Sequence, residues 1–478
     1  MDTSTEHPSF TLPHHPAPSL GSGALSAGAS SPGPDPESEK RLKCAKALES
    51  YVQKSHEGFR LRCEHVAAIL LAPMNELTEQ GGDLWTGSDS LVPSVMMKER
   101  LDGISPFCKH YMLHLDPKNL EDSKWQHAIP VPLYPEPDPD DVALDDPEGL
   151  QRAFVYQCRF ETDPDLPDVP LVKQRMEEAE CRRLNQDKCA VTGEPKPRVF
   201  WLFPSTWNDT VDHMDATGDL CSGSLALTGI NLLRGSDPPC SVRELGTTHK
   251  SWNMMCIDRV LYKYLKDGWC AFKYLLHRDD DNDNVKVTLR FHWMPKLPPL
   301  FGEPIDINDF WTLFSEQMGK FDNCPPPPGF EHGKVRDKSG ELLKSGYRFD
   351  VLVPKQHFAR FQSGIEMLWA CARFTALCGA AGRPWLLSGV DPEDEAMRKR
   401  QKKAVLQDSQ ETGWGTKAYG MLKDTGKQVG GTIKGTGKQV GVSIKDAWSD
   451  VFSAPATSSA ASDSTSRRSR RGRGGSEN

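Results

Sequence analysis

The stretch "KCAVTGEPKPRVFWLFPSTWNDT", Lys188 to Thr210, decides how the chain is read. Cys189, Thr192 and Gly193 suit a strand end that turns sharply, because glycine tolerates backbone angles other residues avoid. Eight residues after Gly193 the apolar run "WLFP" resumes an extended pattern. Two strands joined by the Gly/Pro turn "GEPKP" and followed by a helix would make a ββα finger. The helix is expected in "SWNMMCIDRVLYKYLKDGWCAFKYL" (251–275), which reads as a helix followed by a strand. Asn253 lies at the entry to that helix and Tyr262 nine residues further on. The same residues also satisfy a buried hairpin and helix that carry no site.

Working outward, "VKQRMEEAECRRLNQ" (172–186) is a polar helix feeding the turn, and an irregular stretch runs from the turn to about residue 250. "VKVTLRFHWMP" (285–295) alternates like a strand, with the polar "DDDNDN" (279–284) as a hairpin tip. "HFARFQSGIEMLWACARFTALCG" (357–379) has the spacing of an amphipathic helix ending at Gly379, and "CPPPPGF" (324–330) is a stiff connector. Towards the N-terminus, apolar residues recur at helical steps from Glu39 to Leu71. "AFVYQCRF" (153–160) alternates like a strand, and the acidic, proline-rich 134–149 reads as an extended linker. Residues 1–37 are too rich in Ser, Pro, Gly and Ala to order themselves. The expected division is a disordered tail 1–37, a helical region with its acidic linker 38–150, a finger domain 151–300, a helical extension 301–390 and a low-complexity tail 391–478.

The set "CAVTG…WLFP…SWNMMCIDRVLYKYLKDGWCAFKYL…VTLRFHWMP" resembles the HNH-endonuclease-like domain found in fungal proteins, over roughly residues 172–296. Cys189 to Trp201 is twelve residues and Asn253 to Tyr262 nine, the spacings at which the family carries its histidines. The resemblance implies a ββα-metal core and phosphodiester hydrolysis with a divalent ion, Mg²⁺ or Mn²⁺. It implies a general base at 201, a metal ligand at 262, a further ligand at 200 and a loop-holding Asn at 253. Only Asn253 keeps the family residue. Trp201 has an indole N–H that donates and cannot take a proton. Tyr262 is a phenol with a pKa of about 10, a poor magnesium ligand at neutral pH, and Phe200 has no ligating atom. Without base and cation the chemistry loses its nucleophile and its charge stabilisation. The chain is therefore expected to be a pseudo-enzyme with no resident cofactor.

Other residues offer substitutes. His213 lies among Asp209, Asp212, Asp215 and Asp219; with Asp212 and Asp215 it is an alternative metal cluster, or else part of a solvated polar loop with helix-capping Asp residues. His249 and His292 are further candidate bases. Trp201, Trp207, Trp252, Tyr262, Tyr264 and Trp269 offer rings on which bases could stack, or core packing. Arg182, Arg183, Lys188, Lys196 and Arg198 supply a weak basic rim.

The whole chain, 478 residues with a formal net charge of −8, exerts no global attraction for nucleic acid. Its 13 cysteines include no Cys-x-x-Cys pair, which suits reduced thiols in an intracellular, cytoplasmic or nuclear protein rather than a secreted one. The first residues lack a basic start and an apolar run, so no signal peptide is expected, and no segment has the length of apolar chain a membrane span needs.

The last segment differs in kind. "RKRQKK" (398–403) is a candidate import signal or phosphate-contacting patch. Units beginning at Lys423, Lys434 and Lys445 repeat every eleven residues, about three helical turns. Val429, Ile433, Val440, Ile444 and Val451 then share one stripe, while six glycines oppose the helix at ~1 kcal/mol each. Residues 421–452 are expected to be mostly unstructured in water, and either remain a flexible linker or become helical on an anionic membrane surface or by helix pairing through the Gly-x-x-x-Gly spacings. Arg467, Arg468, Arg470, Arg471 and Arg473 form a basic tail suited to phosphate backbones.

The expected architecture is α+β, an HNH-like ββα core elaborated by helices with a disordered tail at each end. Three functional readings follow. The first is a degenerate HNH protein that binds nucleic acid or an unidentified protein partner. The others are an active nuclease with re-sited ligands, and a peripheral membrane or scaffold protein acting through the repeats.

Overall fold

The computed structural model describes residues 36–87, 92–125, 171–234, 238–280, 283–297, 304–308, 321–327 and 335–388, with single positions between them. The expectations for 134–149, 153–160, the 398–403 run, the repeats and the arginine tail lie outside the described residues.

The helical pattern after Glu39 is carried by two helices. Helix α1 (Pro36–Gln53) buries Ala45, Leu48 and Val52 along one face. It stops before Gly58, whose φ of 77° is left-handed and incompatible with helix. Helix α2 (Cys63–Leu71) resumes, buried from Cys63 to Leu70 on every side, and is followed by the short α3 (Met74–Thr78). Helix α4 (Ser94–His114) is continuously buried from Ile104 to His114. Helix α5 (Leu171–Leu184) is the expected polar helix.

Strand β1 (Arg198–Trp201) does not pair with the chain around Cys189. That segment closes on itself: Gly193 N–H donates to the Cys189 carbonyl at 2.9 Å and Cys189 N–H to the Glu194 carbonyl at 2.8 Å. The partner of β1 is β2 (Met254–Ile257), antiparallel, with Arg198 opposite Ile257 and Trp201 opposite Met254. Residues 254–257, expected to be helical, are thus a strand. Their apolar, unbroken "MMCI" is buried on both faces, which suits a central strand as well as a helix. Between the two strands, the stretch expected to be irregular forms α6 (Val211–Asp219) and α7 (Cys221–Thr228). Helix α8 (Arg259–Lys266) follows β2, with the Asp258 carboxylate capping it through Val260 N–H at 2.8 Å.

A three-stranded antiparallel sheet, β3 (Cys270–Asp280), β4 (Asn284–Trp293) and β5 (Arg348–Pro354), stands beside this unit in the order β3-β4-β5. The polar tip between β3 and β4 falls where the sequence placed it. β5 comes from the segment expected to be a helical extension, and its burial alternates residue by residue from Arg348 to Val353. Helix α9 (Phe358–Leu377) packs on β3 and ends before Gly379, φ 73°. The fold is α+β.

One buried cluster runs from Ala45 to Leu387 and takes residues from all three expected middle segments. Two glycines permit its closest approaches. A Cβ at Gly223 on α7 would stand 2.6 Å from Phe107 Cβ on α4, and one at Gly364 on α9 would stand 2.8 Å from Leu202 Cβ. Gly364 therefore seats α9 directly on the chain leaving β1.

Candidate functional site

The β1–β2–α8 unit carries the residues singled out by the sequence. Side chains alternate across a strand, and the two faces of the hairpin have different neighbours. Val199, Trp201, Met254 and Cys256 face α5, where they form a small cluster with Cys181, separate from the main core. Phe200, Met255 and Ile257 face the main core. Trp201 and Tyr262 are therefore not brought together: the family's base and ligand positions lie on opposite sides of the hairpin.

Phe200 is buried and meets the Tyr262 ring edge-to-face, centroids 5.9 Å apart. The Arg198 guanidinium lies 5.3 Å from the same ring. The Tyr262 hydroxyl donates to the Leu115 carbonyl at 3.4 Å, and burial pushes its pKa up to about 12. A phenol in that position stays protonated and packs. Trp201, half-buried, stands 5.8 Å from the His249 ring.

Asn253 is fully buried in a single turn of 3₁₀ helix ahead of β2. Its Oδ1 accepts from Phe203 N–H at 2.7 Å, and its Nδ2 donates to the carbonyls of Phe203 at 2.6 Å and Thr248 at 2.8 Å. Its own carbonyl accepts from Leu202 N–H at 2.9 Å. Three of the four bonds tie the chain leaving β1 to the chain entering β2, and the one to Thr248 braces the latter against itself. The Cys189 turn ties the other end: its Sγ accepts from Thr192 N–H at 3.3 Å and from Asp258 N–H at 3.0 Å, while Ala190 N–H donates to the Cys256 carbonyl at 2.8 Å. Gly193 closes the turn at φ 75°.

The acidic residues around His213 are not a solvated loop. Thr210 caps α6 by accepting from His213 N–H at 3.2 Å, and His213 Nδ1 is 2.7 Å from Asp209 Oδ1. Asp215 instead accepts from the backbone N–H of Thr162 at 3.0 Å and from its hydroxyl. His213, Asp212 and Asp215 are thus not gathered around one point. Among the described residues no group of three or more His, Cys, Asp or Glu is placed to hold a metal ion.

His213 belongs to a row of histidines that the sequence reading missed. His110 and His114, one helical turn apart on α4, have ring centroids 4.4 Å apart, and His213 stands 5.4 Å beyond His114. The spacing in "HYMLH" was the available signal. His110 Nε2–H donates to the Thr217 hydroxyl at 3.0 Å, since that hydroxyl itself donates to the His213 carbonyl. His114 Nδ1 is 2.6 Å from the Thr206 hydroxyl, and Trp207 stacks on His110 at 5.7 Å. Burial drives the His110 pKa down to about 3 and that of His114 well below its ordinary value. The hydrogen bond to Asp209 raises that of His213. At neutral pH the two inner rings are uncharged packing elements.

The other candidates are also engaged. His249 Nε2–H donates to the Ser205 carbonyl at 2.8 Å and burial lowers its pKa. His292 Nδ1–H donates to the Phe321 carbonyl at 2.9 Å. Trp207 and Trp252 are buried, so neither offers a face to a base. Arg182 donates to the Pro197 carbonyl at 2.8 Å and Arg183 pairs with Glu180 at 2.7 Å, which ties down part of the basic rim. Among the described residues no helix is long and apolar enough to cross a membrane. No protein-family model, curated protein or solved structure matches the chain at a significant level.

Proposed function

We propose that the chain is a catalytically degenerate HNH-like protein that binds nucleic acid without hydrolysing it. One observation carries the reading. The position where such a site needs a cation ligand holds Tyr262, whose ring is packed against Phe200 and whose hydroxyl is bound to the Leu115 carbonyl. The antiparallel pairing of β1 with β2, the helix α8 directly after β2 and the clasp made by Asn253 support the family resemblance. Neither supplies a base or an ion. Affinity for phosphate would come from the arginines at 467–473, a sequence-independent contact that weakens steeply with salt.

Purified full-length protein is incubated with supercoiled plasmid and Mg²⁺, Mn²⁺ or Ni²⁺, and its binding to a labelled duplex is followed at increasing salt. The expected result is no cleavage with any ion and salt-dependent binding that is lost when 466–478 are deleted. Chelator-sensitive cleavage that co-elutes with the protein through successive columns would overturn the reading. Binding to a protein in place of nucleic acid would leave the duplex unshifted at every salt concentration.

A further inference from the structure

Through its described side chains, the polar helix α5 is attached to the β1–β2 pair by little apolar surface. Among its described side chains only Cys181 is fully buried, and Met176 is 69% exposed. The remaining attachments are polar: Glu177 accepts from Ser251 N–H at 2.9 Å and lies 3.5 Å from Lys250 Nζ, and Arg182 donates to the Pro197 carbonyl. Cys181 points its sulfur at that of another cysteine. Cys181 Sγ is 3.9 Å from Cys256 Sγ on β2, inside the small cluster with Val199, Trp201 and Met254.

We infer that Cys181 and Cys256 are a reversible redox-modification site, bridged by exchange with a low-molecular-weight disulfide such as glutathione disulfide, and that the bridge latches α5 onto the hairpin. Two thiols already in contact need to approach by only about 2 Å to reach disulfide bonding distance. A side-chain rotation with a small shift of a thinly attached helix supplies that movement. Access follows from the same weakness. A helix with one fully buried residue among its described side chains opens at a small fraction of the global unfolding free energy, and a shallow cleft lined by Cys181, Leu184, Asn185, Trp252, Met254 and Val353 already reaches Cys181.

The chemistry balances without another reactant. The Cys256 thiol, whose pKa is lowered by its hydrogen bond with Cys181, loses its proton first, and its thiolate attacks one sulfur of the small disulfide, forming a mixed disulfide as the S–S bond of the reagent breaks and one thiolate leaves. Cys181, its proton then lost to solvent, attacks the Cys256 sulfur and expels the second thiolate. Two protein thiols are oxidised by two electrons and one reagent disulfide is reduced to two thiols, which take up the released protons. Reduced glutathione reverses both steps.

The molecule contains its own control. Cys108 and Cys371 are also close, 4.0 Å between sulfurs, but both lie in the main core where α4 meets α9, fully buried on long packed helices. Proximity and burial are the same; what differs is that Cys181 lies on the polar helix α5 and lines a cleft. If proximity alone decided the outcome, both pairs would oxidise together.

Full-length protein is equilibrated in glutathione buffers from reducing to oxidising, quenched by acid and alkylated in denaturant, and its bridges are mapped by peptide mass spectrometry. The first internal bridge is expected to join Cys181 to Cys256, while Cys108 and Cys371 remain alkylatable as free thiols. In the oxidised form the amides of 171–186 should exchange at least ten-fold more slowly than in the reduced form. Cys181→Ser and Cys256→Ser should each abolish this bridge and this protection while leaving the thermal transition cooperative. Free Cys181 and Cys256 at the oxidising end, a first bridge between other cysteines, or a bridge that leaves exchange in α5 unchanged would overturn the inference.

Discussion

Replacing Asn253 tests whether the β1–β2 pair is held together by one buried carboxamide. Asn253→Ala removes the acceptor of Phe203 N–H and the donor to the carbonyls of Phe203 and Thr248, all at 2.6–2.8 Å and all away from water. A buried polar group stripped of its partner costs about 1–3 kcal/mol. Three such groups that relax partly together give a loss of roughly 3–6 kcal/mol, a large share of the ~5–15 kcal/mol that holds a typical domain folded. Asn253→Asp keeps the shape and the acceptor but puts an oxygen where Nδ2 faces two carbonyl oxygens. In the fold the new carboxyl is favoured in its protonated form, so its pKa is raised above the ordinary value of about 3.9. Its folded-state stability is then greatest below that ordinary value and is lost as pH rises through the raised one. Equilibrium urea unfolding followed by tryptophan fluorescence reads both effects, because Trp207 and Trp252 are buried nearby. A cost below about 1 kcal/mol for Asn253→Ala, with hydrogen exchange at Leu202 and Phe203 unchanged, would refute the clasp. The reasoning fails equally if Asn253→Asp shows no worsening between pH 4 and pH 7.

The histidine row predicts a second pH dependence. His110, with a folded pKa of about 3 against an ordinary 6.5, contributes stability that is present above pH 6.5 and lost as pH falls toward 3, roughly 3–5 kcal/mol at the limit. His213 is raised, so its contribution is full below pH 6.5 and fades as pH rises through its folded value. Urea midpoints across pH 4–8 should therefore fall toward acid, and His110→Gln should flatten that fall; equal slopes in variant and parent would refute the assignment. Gly223→Ala places a Cβ 2.6 Å from Phe107 Cβ and 2.7 Å from the Gly103 carbonyl, and should cost about 1–3 kcal/mol by thermal unfolding as α4 and α7 are forced apart. A peptide of residues 415–455 should gain helicity by circular dichroism with anionic vesicles and not with neutral ones; no gain would remove the membrane reading of the repeats.

The sequence by itself determined the elements whose signals are local. The period of 172–186 and 357–379, the polar hairpin tip after β3 and the turn at Gly193 follow from side-chain spacing and turn chemistry within a few residues. It also determined which residue types occupy positions 200, 201, 253 and 262, and so that no imidazole stands there. Pairing was not legible. "MMCI" is apolar at every position, so nothing in its pattern separates a strand buried on both faces from a helix; its place beside β1, more than fifty residues earlier, is set by the tertiary fold. The same fold turned a row of acidic residues into a capped helix and sent Asp215 toward Thr162. It set Trp201 and Tyr262 on opposite faces of one hairpin, and it brought His110, His114 and His213 into line and Cys181 against Cys256. Such juxtapositions depend on contacts between residues distant in the chain, and spacing along a sequence carries no information about them.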